Sequence, residues 1–246
     1  MISYANVLPN SALSSNFDER FESLLQPNLG LFQSPPTFLT MPTQGLYAIT
    51  DPKLSPGLVV IKHVREALSG GARIIQYRDK TTPFAAQIDI AKQLKTLCQN
   101  HQAWLIINDS IDLAMACGAD GVHLGKNDSN LIQAREALGD QAIIGLSCYN
   151  DLRLAQRMQD LGADYVAFGR FFPSKTKPHA PPADLTTLTQ ARAQLNIPIV
   201  AIGGITAHNA SQLIQSGAHS VAVIQGVFAQ SNIRQAATDI ASLFKV

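Results

Sequence analysis

Glutamine and two cations at alternate positions, Gln76-Tyr77-Arg78-Asp79-Lys80, follow a short apolar run and suggest a site for a polyanion. Side chains alternate along a strand, so Gln76, Arg78 and Lys80 are expected on one side of it. Arginine offers a planar fork and lysine a point charge, a pairing suited to phosphate oxygens. The competing reading is an ordinary solvated strand end. Asn108-Asp109 ends the next run, and Asp128 follows the one after it through Gly125-Lys126-Asn127. Carboxylates from adjacent strand ends can share a hard cation, and Mg2+ favours one or two carboxylates together with substrate phosphate oxygens. Asp109 and Asp128 are equally readable as N-caps of the helices that start near Ser110 and Ser129.

Further along, Gly145-Leu146-Ser147 ends a fifth run. The stretch Arg170-Phe171-Phe172-Pro173-Ser174-Lys175-Thr176-Lys177-Pro178 is rich in hydroxyls and cations, and reads either as a lid over a phosphate or as a plain surface loop. Gly203-Gly204 and Ile224-Gln225-Gly226 end the last two runs, where glycine and backbone N–H groups form a second anion cup. His123, in Gly121-Val122-His123-Leu124-Gly125, suits a general acid or base, or a structural histidine bonded within the same mouth.

These residues need strand ends that converge. Eight short apolar runs supply them, at residues 46–50, 73–77, 104–107, 121–124, 142–146, 165–168, 197–202 and 220–224. Between them lie segments of helical periodicity, at 58–68, 84–99, 129–138, 152–161, 185–194 and 207–215. Alternating strands and helices imply parallel βαβ units, and uniformly apolar strands imply a sheet covered on both faces. Gly71-Ala72, Gly118-Ala119, Gly162-Ala163 and Gly217-Ala218 recur before every second strand, an internal repeat of two βα units. The expectation is an α/β fold, a single (β/α)8 TIM barrel over residues 44–246, with its site at the C-terminal ends of the strands. Residues 1–43, rich in Ser, Asn, Pro and Gln, read as a flexible N-terminal extension or as a strap that packs on the barrel or on a neighbouring subunit.

Composition narrows the function classes. The 246-residue chain is 46% hydrophobic with a formal net charge of +1 and dispersed basic residues, unlike a nucleic-acid-binding surface. Its apolar runs are too short to span a membrane. No cationic start followed by an apolar stretch marks a secretory signal, the first basic residue being Arg20. Cys98, Cys117 and Cys148 lack disulfide or metal spacing. A cytoplasmic enzyme with small-molecule substrates is expected; assembly into homo-oligomers stays open.

Taken together, Gln76-x-Arg78-x-Lys80, Asn108-Asp109, Gly121-Val122-His123-Leu124-Gly125-x-x-Asp128, Phe172-Pro173-x-Lys175-Thr176-Lys177 and Ala201-Ile202-Gly203-Gly204-Ile205 resemble the thiamine-phosphate synthase family in order and spacing, over residues 45–245. The resemblance implies a Mg2+-dependent transferase. It condenses 4-amino-2-methyl-5-hydroxymethylpyrimidine diphosphate with 4-methyl-5-hydroxyethylthiazole phosphate, through a carbocation-like step, to thiamine phosphate and diphosphate. It further implies that Gln76, Arg78, Lys80, Asn108, Ser147 and Lys177 serve the pyrimidine diphosphate, with Arg78, Lys80, Ser147 and Lys177 catalytic, and that Tyr77, Asp79 and Lys175 also bind substrate. Asp109 and Asp128 would hold Mg2+, and Ser174, Thr176, Gly203, Gly204 and the backbone at Ile224 and Gln225 the thiazole phosphate. Three positions depart from the family pattern: Ser174 replaces the usual Thr, Lys126 a common Gln, and Gln225 a common Ser. A thiazole tautomerase, or a non-catalytic sensor of thiazole or thiamine phosphate, would share the barrel without needing both carboxylates and the Gln-x-Arg-x-Lys strand.

Overall fold

A computed structural model describes residues 44–125, 128–174 and 181–244; side chains are described for these except Asp128 and Ser129. The expected extension at 1–43 lies outside the described residues, as do Lys175, Thr176 and Lys177.

Eight parallel strands close into a barrel in sequence order. They are β1 (Gly45–Ile49), β2 (Ala72–Tyr77), β3 (Trp104–Asn108), β4 (Gly121–Leu124), β5 (Ile143–Tyr149), β6 (Tyr165–Phe168), β7 (Ile199–Ile202) and β8 (Ser220–Val223). The last strand closes on the first, with Leu46 beside Val221 and Ala48 beside Val223. The main difference from expectation is β5. It runs to Tyr149, so Ser147 sits inside a strand rather than after one.

Helices cover the outside: α1 (Val59–Ser69), α2 (Phe84–Asn100), α3 (Ile111–Cys117), α4 (Asp128–Leu138), α5 (Leu152–Asp160), α6 (Leu185–Gln194), α7 (Ala210–Gln215), α8 (Gln225–Phe228) and α9 (Ile233–Ala241). In α1 the buried residues are Val60, Val64, Ala67 and Leu68, the spacing of one apolar face. Ser110 rather than Asp109 caps α3, accepting a hydrogen bond from the Leu113 amide at 3.1 Å. Gly118 ends that helix at φ 64°, a left-handed turn suited to a residue without Cβ.

Strand alternation divides the core in two. Leu46, Ala48, Ile75, Leu105, Ile107, Val122 and their counterparts pack outward against the helices. Tyr47, Ile49, Ile74, Ile106, Ile143, Tyr165, Ala167, Val200 and Ala222 pack together inside the barrel. The Gly-Ala repeat has a structural basis at the N-terminal ends of the strands. At three of the four repeats the residue after it accepts a backbone amide from the preceding odd strand: Asp120 from Leu105 at 2.8 Å, Asp164 from Ile144 at 2.7 Å, and His219 Nδ1 from Ile199 at 3.0 Å. Each also meets a cation from a covering helix, namely Lys95, Arg135 and Arg192 respectively. These anchors lie at the face opposite the strand ends that build the site, separating stability from chemistry.

Candidate active site

A cavity of about 350 Å³ opens at the C-terminal ends of the strands, within the range of small-molecule sites. Its floor is apolar, formed by Ile49, Ala167, Val200 and Ala222. Its rim is polar. Gln76, Arg78, Lys80, Asn108, Asp109, Ser147, Ser174, Gly203, Gly204, Ile224 and Gln225 all line it, so the structure gathers most of the residues singled out from the sequence.

The strand β2 side is built by alternation. Gln76 is buried and turned inward, and Arg78 and Lys80 follow on the same side. Thr50 fixes the exit of this strand: its hydroxyl accepts from the Arg78 amide at 2.9 Å and donates to the Arg78 carbonyl at 3.3 Å. Lys80 Nζ lies 3.2 Å from Asp109 Oδ2, which also accepts from Asn108 Nδ2 at 2.7 Å. Asp109 adopts φ 64°, and its amide donates to the His123 carbonyl at 2.9 Å. A non-glycine residue held left-handed at the cavity mouth, and not used as a cap, fits a functional carboxylate better than a helix-capping one.

Tyr77 and Asp79, also expected to bind substrate, do not line the cavity. Tyr77, the last residue of β2, and Asp79 just beyond it fall in the opposite phase to Gln76 and Arg78. Tyr77 is buried in the outer core against the helices, and burial pushes its phenol pKa up. Burial alone would raise the Asp79 carboxyl, but hydrogen bonds from Thr82 and Thr81 outweigh it and hold the pKa below the usual value. Oδ1 accepts from the Thr81 amide at 2.8 Å and the Thr82 amide at 3.0 Å, a local turn rather than a ligand contact.

Gly203 and Gly204 line the cavity at φ 107° and 65°. Their missing side chains also admit the segment after β6. A Cβ at 203 would stand 2.3 Å from Arg170 Cβ, and one at 204 would stand 2.4 Å from the Pro173 carbonyl oxygen. The Phe171 and Phe172 amides donate to the carbonyls of Ile202 and Gly203 at 3.2 and 3.0 Å. Arg170 and Ser174 are thereby brought to the rim. Gln225 opens the short helix α8, whose first amides have no intrahelical acceptor.

His123 belongs to a chain of polar groups that no sequence pattern announced. Gln76 Nε2 donates to the Tyr47 hydroxyl at 2.7 Å, which lies 2.9 Å from the Tyr165 hydroxyl. Tyr165 lies 2.9 Å from His123 Nδ1, and His123 Nε2 lies 2.9 Å from Ser147 Oγ. The His123 and Tyr165 rings stack with centroids 5.5 Å apart. Burial pushes both phenol pKa values up, so each stays a hydroxyl.

The oxygen chemistry of Asp109 and Asn108 suits a hard cation. Among the described residues no cluster of three or more His, Cys, Asp or Glu side chains assembles, so protein ligands alone do not complete a metal cage. A divalent ion sharing Asp109 with ligand oxygens fits this arrangement. The Asp128 side chain lies outside the described residues.

The family model for thiamine monophosphate synthase matches residues 46–227. A thiamine-phosphate synthase of Marinobacter nauticus is 53% identical over 184 residues, covering 75% of this chain and 82% of that protein. One of Nitrosococcus oceani is 53% identical over 194 residues, covering 79% and 89%. The solved thiamine phosphate pyrophosphorylase of Pyrococcus furiosus superposes with a TM-score of 0.76 at 35% identity, covering 83% of this chain and 97% of that one.

Proposed function

The chain belongs to the thiamine monophosphate synthase family, and from that membership we infer that it condenses the pyrimidine diphosphate with the thiazole phosphate to give thiamine phosphate and diphosphate. Within this reaction the site residues and the metal are our own assignment. The observation that carries it is the convergence of Arg78, Lys80, Asn108 and Asp109 on one side of a cavity whose other side is lined by Gly203, Gly204 and Gln225. One side offers charge for a diphosphate; the other offers backbone donors for a phosphate.

Arg78 and Lys80 neutralise the departing diphosphate, and their charge matters most as the bond to the pyrimidine methylene carbon breaks. Asp109 and Asp128 would hold Mg2+, which when bound neutralises diphosphate oxygens and makes the group a better leaving group. Ser147 and Lys177 complete the polar contacts of the pyrimidine diphosphate. Ser174, Lys175, Thr176, the glycine pair and the backbone at Ile224-Gln225 position the thiazole phosphate so that its ring nitrogen meets the electron-deficient carbon. The apolar floor of Ile49, Ala167, Val200 and Ala222 takes the rings and keeps water from capturing that carbon. No protein nucleophile is required.

The assignment is tested by titrating inorganic diphosphate into the protein with and without Mg2+. Binding that strengthens with Mg2+, and loses that gain in Asp109→Ala, supports it. Binding indifferent to Mg2+ in the unsubstituted protein removes the metal from the assignment.

Among the described residues no helix is long and apolar enough to cross a membrane. A cytoplasmic location is proposed from the buried free cysteines, which fit a reducing compartment.

A further inference from the structure

We propose that Tyr165 is a positioning residue that acts through His123 to fix the hydrogen-bonding sense of Ser147, and with it the kind of ligand atom Ser147 accepts as partner. The inference rests on the functional reading above for the identity of the ligand, but its structural core does not.

Each phenol has one hydrogen to give. Gln76 Nε2 donates to the Tyr47 oxygen at 2.7 Å, so the Tyr47 hydrogen goes to Tyr165, its other partner at 2.9 Å. The Tyr165 oxygen is then an acceptor, and its own hydrogen goes to His123 Nδ1 at 2.9 Å. A hydrogen on Nδ1 would force Tyr165 to donate back to Tyr47, leaving the Tyr47 hydrogen facing the Gln76 amide donor. The chain therefore holds the His123 ring hydrogen on Nε2, from which it is donated to Ser147 Oγ at 2.9 Å. Ser147 is left with its hydroxyl hydrogen directed to the cavity it lines. A serine so held favours a ligand acceptor, such as an unprotonated ring nitrogen or a phosphate oxygen.

The fold gives this chain a dedicated slot. Gly145 is the cross-strand neighbour of both His123 and Tyr165. A Cβ there would stand 1.9 Å from Tyr165 Cζ, so the absence of a side chain at 145 is what admits the ring. Tyr47 and Tyr165 are fully or almost fully buried, at 1% and 0% exposure, and of the two only Tyr47 lines the cavity. The effect of Tyr165 on the reaction is transmitted through His123.

The experiment is nitrogen-15 NMR of the labelled histidine rings at alkaline pH, with His123 identified among the six histidines by loss of its signals in His123→Gln. The unsubstituted protein is expected to carry the His123 hydrogen on Nε2, and Tyr165→Phe, which keeps the ring in its slot, to shift it towards a mixture of tautomers. A hydrogen on Nδ1 in the unsubstituted protein, or an unchanged tautomer in Tyr165→Phe, overturns the proposal. Should Tyr165→Phe not fold, Tyr47→Phe provides the same readout, because it removes the donor that makes the Tyr165 oxygen an acceptor and so orients its hydrogen. These readings do not depend on turnover, so they separate a failure of this inference from a failure of the functional assignment. In the condensation assay Tyr165→Phe should lower kcat/KM for the pyrimidine diphosphate about tenfold, with KM for the thiazole phosphate unchanged. The same substitution in a Ser147→Ala background should have no further effect. A full additional loss in that background overturns transmission through Ser147.

Discussion

Lys80 Nζ and Asp109 Oδ2 stand 3.2 Å apart across the ends of β2 and β3, with the two side chains 60% and 54% exposed. A pair so exposed contributes under about 1 kcal/mol to folding. Asp109 nevertheless holds a left-handed backbone, which is itself unfavourable for a residue with a Cβ. The pair is thus better explained by what it presents to a ligand than by stability. Asp109→Ala is expected to keep its unfolding free energy within about 1 kcal/mol of the parent, while turnover falls by at least about a hundredfold. Equilibrium urea unfolding and the condensation assay together check this.

Gly145→Ala is expected to displace the Tyr165 ring, since the added methyl would stand 1.9 Å from Cζ. Overpacking of this kind costs about 1–3 kcal/mol. The variant should also lower turnover, because the ring carries the contact to His123. A crystal structure of the variant with Tyr165 unmoved would contradict the packing argument.

The two tyrosines illustrate what the sequence does not reveal. Strands β1 and β6 read as uniformly apolar runs, and nothing in them says which residues face inward; that phase is set only when the barrel closes and neighbouring strands fix the register. Where a polar side chain interrupts the run, as at Gln76, Arg78 and Lys80, alternation is readable and the structure agrees. Tyr77 and Asp79 lie off the cavity for the same reason that Gln76 and Arg78 line it, since neighbours in an extended segment face opposite ways. The strand count, the barrel and the Gly-Ala repeat were legible because each rests on local pattern. The role of the residue after the repeat was not, because Asp120 and Asp164 act on amides of the preceding strand, 15 and 20 residues earlier.

Asp120→Ala should destabilise the protein without changing the kinetics of the folded fraction. Asp120 accepts the Leu105 amide and pairs with Lys95, and both carboxylate and ammonium are largely shielded from water. Removing the acceptor leaves a strand amide and a cation without their partner, a loss of about 2–4 kcal/mol. Urea unfolding measures the first effect, and KM at the distant cavity should not move.

Stability should decline as pH falls below the ordinary histidine value of 6.5. Burial and the neighbouring Arg192 lower the His219 pKa, so the unfolded chain takes up a proton that the folded one resists. The contribution is fully present above the unfolded value and is lost as pH falls through the window beneath it. His63, lowered by burial and Lys62, acts in the same direction. His219→Asn should flatten part of the slope in urea unfolding measured across this range; an unchanged slope would remove His219 as a source.

The central claim is that this cavity joins the two halves of thiamine phosphate with the help of a divalent ion. Its most direct test is to incubate purified protein with the pyrimidine diphosphate, the thiazole phosphate and Mg2+, and to score thiamine phosphate by fluorescence after oxidation, with EDTA in a parallel sample. Product that forms with Mg2+ and vanishes with EDTA is the predicted result. Folded protein that binds the thiazole phosphate but forms no product, with Mg2+ present, would contradict it and move the assignment to a tautomerase or a sensor.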